Sequence, residues 1–416
     1  MRFGGDAMML VKESHKNKTY VINDTLWERL IELTDGAASL CYQCGVCTAA
    51  CPWGLVRKDT FSVRTIIRKA QLGLQNVNDT LWLCTTCGQC HLYCPRGVNI
   101  CEVFRSLRDI AWEEKITADG LPSLLWSVFW NGNPWAQPPS RRADWAKGLE
   151  IPYFDKDQHE ILLFIGCTSS YDRRAQKISR SLVKVLQAAN VRYGYLGENE
   201  PCCGEAVLST GHKPYFRDIA KKTIEVFNNS GASHIVTLSP HCFDVFKNHY
   251  PTDMLQNQIT FEHYTQYLAQ LINDERLVLS GQNETSTSEI DLSLGIGNIP
   301  KINITYQDPC YLSRHNQEYL APRQILELIP GFQLVEMEHH AEDGLCCGGG
   351  GGRMWLETAP GERFADLRIV EATNTNAEYL VTACPFCVVC LEDSVKSKRI
   401  DSLKVIDIAE ALALYL

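Results

Sequence analysis

Short apolar runs recur through the last two thirds of the chain, each closing on a polar or cysteine-bearing loop. Ile161–Ile165, Arg192–Leu196 and Ile235–Leu238 form one set, and Ile302–Tyr306, Phe332–Val335 and Tyr379–Thr382 form a second. Runs of this length, alternating with helical stretches, predict strands of α/β units. Arg174–Ala189 and Tyr215–Asn228 carry helical periodicity between the first strands, and two helical segments are expected at the end of the chain. Earlier residues read as helices joined by loops. Asp24 or Thr25 can cap a helix whose apolar face is Trp27, Leu30 and Ile31. An amphipathic helix falls near Ser62–Leu72, and Asn99–Glu114 places Val103, Leu107, Ile110 and Ala111 on one stripe.

The two strand sets are copies of each other. Gly166-Cys167 answers Pro309-Cys310, Cys202-Cys203-Gly204 answers Cys346-Cys347-Gly348, and His234–Cys242 answers Tyr379–Cys387, the offset growing only from 143 to 145. This is an internal duplication. Under the alignment Ser239 stands where the second copy has Cys384. The first copy keeps four thiols, and the second has five.

The predicted organisation is therefore α+β: a helical or ferredoxin-like domain over 1–115, a linker over 116–158, a first α/β repeat over 159–272, a polar linker or insertion over 273–300, and a second repeat over 301–416. Residues 112–145 hold Trp112, Trp126, Trp130, Trp135 and Trp145, with Asn133-Pro134-Trp135, Pro138-Pro139 and Arg141-Arg142 breaking regular structure. The linker is read as wrapping the first domain onto the repeats, or as a docking surface for a membrane partner.

Composition narrows the chemistry. The 416 residues are 45% hydrophobic, enough for two or three cores, and include 19 cysteines. Met1–Lys18 has no continuous apolar segment, so the expectation is reduced thiols in the cytoplasm and not a secreted disulfide framework. Leu121–Trp130 falls short of the roughly 18–20 residues of a membrane span, so the chain is expected to be soluble or peripheral on the cytoplasmic face of a membrane. A formal charge of −9 argues against nucleic acid.

The cysteines are not scattered. Cys41, Cys44, Cys47 and Cys51-Pro52 repeat as Cys84, Cys87, Cys90 and Cys94-Pro95. Three thiolates at this spacing can grip a cluster from one loop while the fourth, turned away by proline, reaches elsewhere. Zinc has no need of a tripled run. The pattern resembles the bacterial two-cluster ferredoxins, in which the fourth cysteine of each run serves the other cluster. That implies one cubane [4Fe-4S] cluster on Cys41, Cys44, Cys47 and Cys94, and a second on Cys84, Cys87, Cys90 and Cys51.

Cys310, Cys346-Cys347-Gly348 and Cys384-Pro385-Phe386-Cys387 are separated by gaps of 35 and 36 residues. This spacing resembles the CCG motif of heterodisulfide reductases and their relatives. The whole order of parts is similar to the D subunits of that family, with iron–sulfur subunits of glycolate oxidase and anaerobic glycerol-3-phosphate dehydrogenase as wider kin. The resemblance implies a noncubane [4Fe-4S] cluster on Cys310, Cys346, Cys347, Cys384 and Cys387, which are then the catalytic residues. It implies a matching site at Cys167, Cys202, Cys203 and Cys242, where loss of a thiol at Ser239 leaves an altered cluster or none, since a hard hydroxyl oxygen is a poor substitute for thiolate.

Cys101 and Cys390 remain and are read as small buried hydrophobes. Gly348–Gly352 lacks the Lys-Ser/Thr of a phosphate loop, so its glycines are expected to let backbone approach the cluster. His241, His339, His340, Glu205 and Asp308 lie near cysteine loops and are read as surface or supporting groups, with proton donation by the histidines as the sharper alternative.

The function implied is that of a heterodisulfide reductase-like oxidoreductase, one component of a larger complex, moving electrons through two cubanes to a noncubane centre that performs disulfide/thiol chemistry. An alternative is a pure electron-transfer subunit linking a flavoprotein or soluble donor to a membrane cytochrome b and a quinone-like carrier. A third reading makes the first repeat an interaction platform for a partner's thiols.

Overall fold

The strand-forming runs assemble into two four-stranded sheets in the computed structural model of the chain, which describes residues 24–56, 61–74, 79–279, 301–359 and 361–416. The first contains β1 (Ile161–Phe164), β2 (Tyr193–Gly194), β3 (His234–Thr237) and β4 (Thr260–His263) in the order β2-β1-β3-β4. The second contains β5 (Ile302–Gln307), β6 (Phe332–Leu334), β7 (Tyr379–Thr382) and β8 (Lys404–Asp407) in the order β6-β5-β7-β8. Every neighbouring pair is parallel. Ile161-Leu162-Leu163-Phe164 is apolar throughout because β1 is buried on both faces.

β4 and β8 are strands the sequence pattern does not announce. Both are edge strands with polar residues (Thr-Phe-Glu-His and Lys-Val-Ile-Asp). An edge strand pairs on one side only, so it needs no continuous apolar run. The two helical segments expected at the end of the chain are Pro385–Lys398 and Ile408–Leu412, with β8 between them.

The repeats pack about a local pseudo-twofold. Helix Tyr264–Asn273, after β4, packs on Leu320–Leu328 of the second repeat, and Ile408–Leu412, after β8, packs on Gln176–Ala188 of the first. One apolar core runs through both, including Leu163, Leu268, Ile304, Ile325, Val381 and Leu412. Tyr264 closes the seam by donating to the Asp407 carboxylate at 2.7 Å.

Residues 24–113 are helical and loop-like, with no strand among those described. Helix Ile100–Glu113, capped by the Asn99 side chain, is the beam against which the cysteine runs lie. Its Arg108 is fully buried and donates to the carbonyls of Leu81, Cys84, Ser209 and Gly351, binding three parts of the chain together.

The linker holds a helix that the Pro-rich reading did not include: Leu121–Asn131, entered at Gly120 with Pro122 in its first turn and stopped at Gly132 (φ 64°). Leu121, Leu124 and Val128 face the core, while Trp126, Phe129 and Trp130 are 59%, 61% and 69% exposed. Trp112 packs edge-on against Trp82, Trp135 donates to the Thr168 hydroxyl at 3.3 Å, and Trp145 is buried. The wrapping role therefore belongs to Trp112, Trp135 and Trp145. Asn273 closes a helix, and Leu277 and Leu279 are buried. The rest of the polar linker, 280–300, and Met1–Lys18 lie outside the described residues.

Candidate metal centres

Each cysteine run adopts the same local structure. Gln43 (φ 66°) and Gly45 (φ 91°) in the first run match Thr86 (φ 52°) and Gly88 (φ 81°) in the second, and each is followed by one helical turn, Val46–Ala49 or Gln89–Leu92. Left-handed conformation at a non-glycine residue costs about 1–2 kcal/mol, so its recurrence marks a geometry held by the surrounding structure. The turn aims donors at sulfur: Thr86 N–H lies 3.4 Å from Cys84 Sγ, and Gln43 Nε2 lies 3.5 Å from Cys41 Sγ.

Cys41, Cys44, Cys47 and Cys94 line one small cavity together with Arg64 and Arg96. Cys51 faces the other run: burial, then Cys87 and Cys84, push its thiol well up. Burial also raises Cys90, with Cys101, Cys84, Cys87 and Cys51 around it. The structure thus brings together the two foursomes that the ferredoxin-like spacing implies, the fourth cysteine of each crossing to the other.

In both repeats the cysteine loops follow the carboxyl ends of parallel strands, where open α/β sheets place their ligands. Cys310 follows β5, Cys346-Cys347 follows β6, and Cys384 and Cys387 follow β7. Their thiols lie in a connected series, Cys310 beside Cys346, Cys346 beside Cys347, Cys347 beside Cys387 and Cys387 beside Cys384, each close enough to shift its neighbour's pKa. The series does not stop there. Cys87 of the second ferredoxin-like foursome is raised first by Cys346 beside it and then by burial. Arg314, buried beside these thiols, donates to the carbonyls of Cys87 and Gly344.

The first repeat is built alike. Cys167 reaches Cys202, Cys202 reaches Cys203, and Cys203 lies 3.2 Å from Cys242 Sγ. Gly204 N–H approaches Cys202 Sγ at 3.4 Å, as Gly348 N–H approaches Cys346 Sγ at 3.2 Å. Ser239 precedes helix Pro240–Asn248 just as Cys384 precedes helix Pro385–Lys398, and it is buried. The same repeat holds a buried cation at its thiols: Arg142 lies 3.5 Å from Cys167 Sγ and 2.8 Å from Glu200, whose carboxylate also accepts the Ile165 and Gly166 N–H groups. Arg142 is visible in the sequence only as half of an Arg-Arg breaker; nothing in the sequence marks it as buried.

His241 is not a surface group. It is buried between the repeats, stacked at 4.0 Å on Tyr311 and 4.4 Å from Phe386, its counterpart under the pseudo-symmetry. Its Nδ1 lies 3.4 Å from Glu205. Burial opposes its charged form, but Glu205 and Cys384 outweigh that and hold its pKa well above the ordinary value. Glu205 accepts from Tyr311, whose hydroxyl is 2.7 Å from that of Thr86 in the second cysteine run. His339 and His340 lie apart from the thiols, His339 pairing with Glu371 and His340 with the Met337 carbonyl. Asp308 is engaged by Arg323 at 2.8 Å.

Cys101 is buried and donates to the Thr86 carbonyl, burial pushing it up to about 12. Cys390 departs from expectation. It is only partly buried and, with Cys347, Gly349, Arg353, Arg363 and Asp393, lines a 420 Å³ cavity beside the five-thiol centre. The glycine loop also does something other than expected: a Cβ at Gly350 or Gly351 would strike the carbonyl of Thr85 or Cys84. These glycines serve the contact with the second cysteine run.

The cysteines of the four groups are free thiols. Buried thiols that share hydrogen bonds are poorly satisfied, because S–H is a weak donor. As thiolates they are the soft ligands that iron–sulfur clusters take. The donor sets fit such clusters.

The cysteine-rich CCG domain matches residues 161–247 and 304–392, and a 4Fe-4S dicluster domain matches residues 37–98. The chain is 34% identical over 346 residues to the probable iron-sulfur-binding oxidoreductase FadF of Bacillus subtilis and 33% identical over 354 residues to the EtfAB:quinone oxidoreductase of Syntrophomonas wolfei, in each case covering 80% of this chain and 46% of the relative. It thus spans about half the length of those two. It is 30% identical over 407 residues to the D subunit of the dihydromethanophenazine:CoB–CoM heterodisulfide reductase of Methanosarcina barkeri, covering 90% of this chain and 92% of that one.

Proposed function

Because the chain belongs to the family of heterodisulfide reductase D subunits, and is an iron–sulfur oxidoreductase, we propose that it is an electron path ending in disulfide/thiol redox chemistry at the second repeat. In this reading cubane [4Fe-4S] clusters on Cys41, Cys44, Cys47 and Cys94 and on Cys84, Cys87, Cys90 and Cys51, and a noncubane cluster on Cys310, Cys346, Cys347, Cys384 and Cys387, supply one-electron redox steps and a soft partner for sulfur. The domains divide as 1–115, 116–158, 159–272, 273–300 and 301–416.

The observation that carries the proposal is the packing of the second cysteine run on the five-thiol centre: Arg314, four residues after Cys310, donates to the Cys87 carbonyl at 2.8 Å, and Gly350 and Gly351 lie against the Thr85 and Cys84 carbonyls. It puts the second ferredoxin-like foursome against the five-thiol centre. Cys347 and Cys390 then open that centre to a cavity large enough for a small organic disulfide. Arg353 and Arg363 line the same cavity together with Glu362 and Asp393, Arg363 pairing with Asp393 and Arg353 donating to the Thr358 hydroxyl, so its wall is polar and of mixed sign. His241, backed by Glu205, holds a proton at the edge of Cys384. Each disulfide takes two electrons and two protons and yields two thiols. The test is anaerobic reconstitution, reduction, and addition of a small disulfide. Reoxidation with release of two thiols per two electrons supports the reading, and Cys347→Ser should abolish it while both cubane signals remain. Clusters that stay reduced in the presence of disulfide overturn it.

A second reading, electron transfer between a flavoprotein and a quinone-like carrier at the cytoplasmic face of a membrane, draws on two observations. The similarity to the EtfAB:quinone oxidoreductase is one. The other is the exposed aromatic face of helix Leu121–Asn131, although among the described residues no helix is long and apolar enough to cross a membrane. Reoxidation by a short-chain quinone in a membrane preparation, with no response to disulfide, would favour it.

A further inference from the structure

The cavity lined by Cys41, Cys44, Cys47 and Cys94 reaches the surface beside a groove of 630 Å³. Tyr42, Arg64, Arg68, Lys69 and Gln71 line that groove along with Cys41. Arg64 and Arg68 stand one turn apart on helix Val63–Gln71, both exposed, and Arg96 adds a fourth cation at the neighbouring cavity. Among the described residues, no carboxylate lines either space. In a chain with a formal charge of −9 this is a local inversion of sign. The 880 Å³ groove beside helix Thr25–Leu33 is of mixed sign, with five carboxylates (Glu28, Glu32, Asp35, Glu102 and Asp109) against Arg29, Lys213 and Arg217 in its wall. Beside the cations the lining has an apolar, exposed part: Tyr42, which lines both spaces, is 60% exposed, and Cys44 of the inner cavity is exposed next to it in the chain, with Leu40 (41%) and Val46 (39%) close by in sequence.

Two roles could explain the cations. They could offset the charge of the thiolates inside, or they could meet a charge outside. Arg142 and Arg314, which face the thiols of the two repeats, are buried. Arg64 and Arg68 are in water, where solvent and salt screen their effect on an internal charge. Exposed charges of one sign beside an apolar surface act instead on an approaching protein, steering encounter and fixing register.

We propose that this face receives an acidic one-electron carrier protein, seated over Tyr42 and Cys44 with its carboxylates against Arg64, Arg68, Lys69 and Arg96. One electron leaves the reduced carrier and one is gained by the chain, so two encounters supply the electrons for one disulfide. The proposal rests on the reading of Cys41, Cys44, Cys47 and Cys94 as cluster ligands.

The test uses the reconstituted full chain, with iron content and electron paramagnetic resonance recorded first. Its probes are a reduced acidic bacterial ferredoxin and, as a small reductant, reduced methyl viologen. The double variant Arg64→Glu/Arg68→Glu should slow reduction by ferredoxin about ten-fold at low salt, weaken ferredoxin binding measured by calorimetry, and leave reduction by viologen and the cluster midpoint potential in place. Added salt should slow the ferredoxin reaction of the parent chain, and Lys184→Glu, on the exposed side of helix Gln176–Ala188, should change neither rate. Ferredoxin binding and reduction that ignore the charge reversal overturn the proposal. So does an equal slowing by both reductants with a shifted potential, which would assign the cations to the cluster. Absence of a cluster at the Cys41 group shows separately in the iron count, and the binding measurement still decides whether the face docks an acidic protein.

Discussion

Gly351 presents bare backbone to the carbonyl of Cys84, so closely that a Cβ there would lie inside contact distance. The same carbonyl accepts from Arg108 at 2.7 Å, and Arg108 also donates to the Gly351 carbonyl at 3.2 Å. The second cysteine run and the glycine loop of the second repeat are thereby held by one buried guanidinium and one missing side chain. Gly351→Ala meets both the clash and a φ of 64°, and a loss of about 3 kcal/mol is expected in anaerobic denaturant unfolding. Arg108→Met strands buried carbonyls and should cost about the same. Unchanged midpoints in both variants would show that this contact does not join the two parts.

The crossing of the fourth cysteines gives the next prediction. Cys94 lines the cavity of Cys41, Cys44 and Cys47. Cys94→Ala should therefore remove the signal of that cluster and spare the one at Cys84, Cys87, Cys90 and Cys51. Spectra in which the Cys84 cluster disappears instead would reverse the pairing.

What the sequence displays, and what it hides, follows from local against long-range chemistry. Cysteine spacing is local, so the foursomes and the duplication are legible in order. Buried strands such as β1 announce themselves by continuous apolar runs. The edge strands β4 and β8 do not, because one paired side suffices for them. Arg108, Arg142 and Arg314 look like surface cations in sequence; only the carbonyls and thiols brought to them by distant segments make them buried groups. His241 is the same case: its stacking partners Tyr311 and Phe386 are 70 and 145 residues away in the sequence. Cys390 reads as a small buried hydrophobe, yet it lines a cavity in which a Cβ at Gly349 would crowd its sulfur, an adjacency made by residues 41 apart in sequence.

Stability should depend on pH through groups at the seam of the repeats. Burial pushes Asp407 up to about 8, against hydrogen bonds from Tyr264 and the Ala409 N–H. Between about pH 4 and 8 the folded state holds a proton there that the unfolded chain releases, so stability falls as pH rises through that window. Burial lowers His263 to about 3 and His315 to about 4, so their contribution is lost as pH falls below about 6.5. Above pH 6.5 the Asp407 slope remains of the three, at most about 1.4 kcal/mol per pH unit. His241, whose burial is outweighed by Glu205 and Cys384 so that it stays well above its ordinary value, adds a fall of the same sign that Asp407→Asn leaves in place. Asp407→Asn should lessen the fall between pH 6.5 and 8 and keep the acid limb. An unaltered alkaline slope in thermal unfolding would refute the assignment.

Trp126 and Trp130 stack 6.3 Å apart on the exposed face of their helix, with Phe129 edge-on to both. If that face meets a membrane partner, Trp126→Ser/Trp130→Ser should move the protein to the soluble fraction with cluster content intact, since neither ring supports the core. Retention on membranes would discard the role. Loss of clusters would show that the helix is structural after all.

Ser239 and Cys384 occupy the same place in the two repeats, each in extended backbone before a proline that starts a helix. The scaffold of the first repeat is otherwise complete: Cys167, Cys202, Cys203 and Cys242 are gathered, and the Cys202 sulfur receives the same backbone N–H as its counterpart. What differs is one donor atom and the partner of the buried cation, since Arg314 beside the second set of thiols is held by carbonyls and Arg142 beside the first by a carboxylate. The hydroxyl of Ser239 is a hard, weakly acidic ligand in place of a thiolate, and Arg142 with Glu200 stands against Cys167. The parent chain should accordingly bind iron for two cubanes and one noncubane cluster. Ser239→Cys should add about four irons per chain if the missing sulfur is the whole deficit, with a second noncubane signal in the spectrum. If iron stays constant, the Arg142–Glu200 pair becomes the next obstacle, and Arg142→Gln in the Ser239→Cys background should then raise the count. An intact noncubane cluster in the parent chain, bound by Cys167, Cys202, Cys203 and Cys242, would show that four thiolates suffice. Both repeats could then take a substrate sulfur, and the asymmetry would lose its meaning.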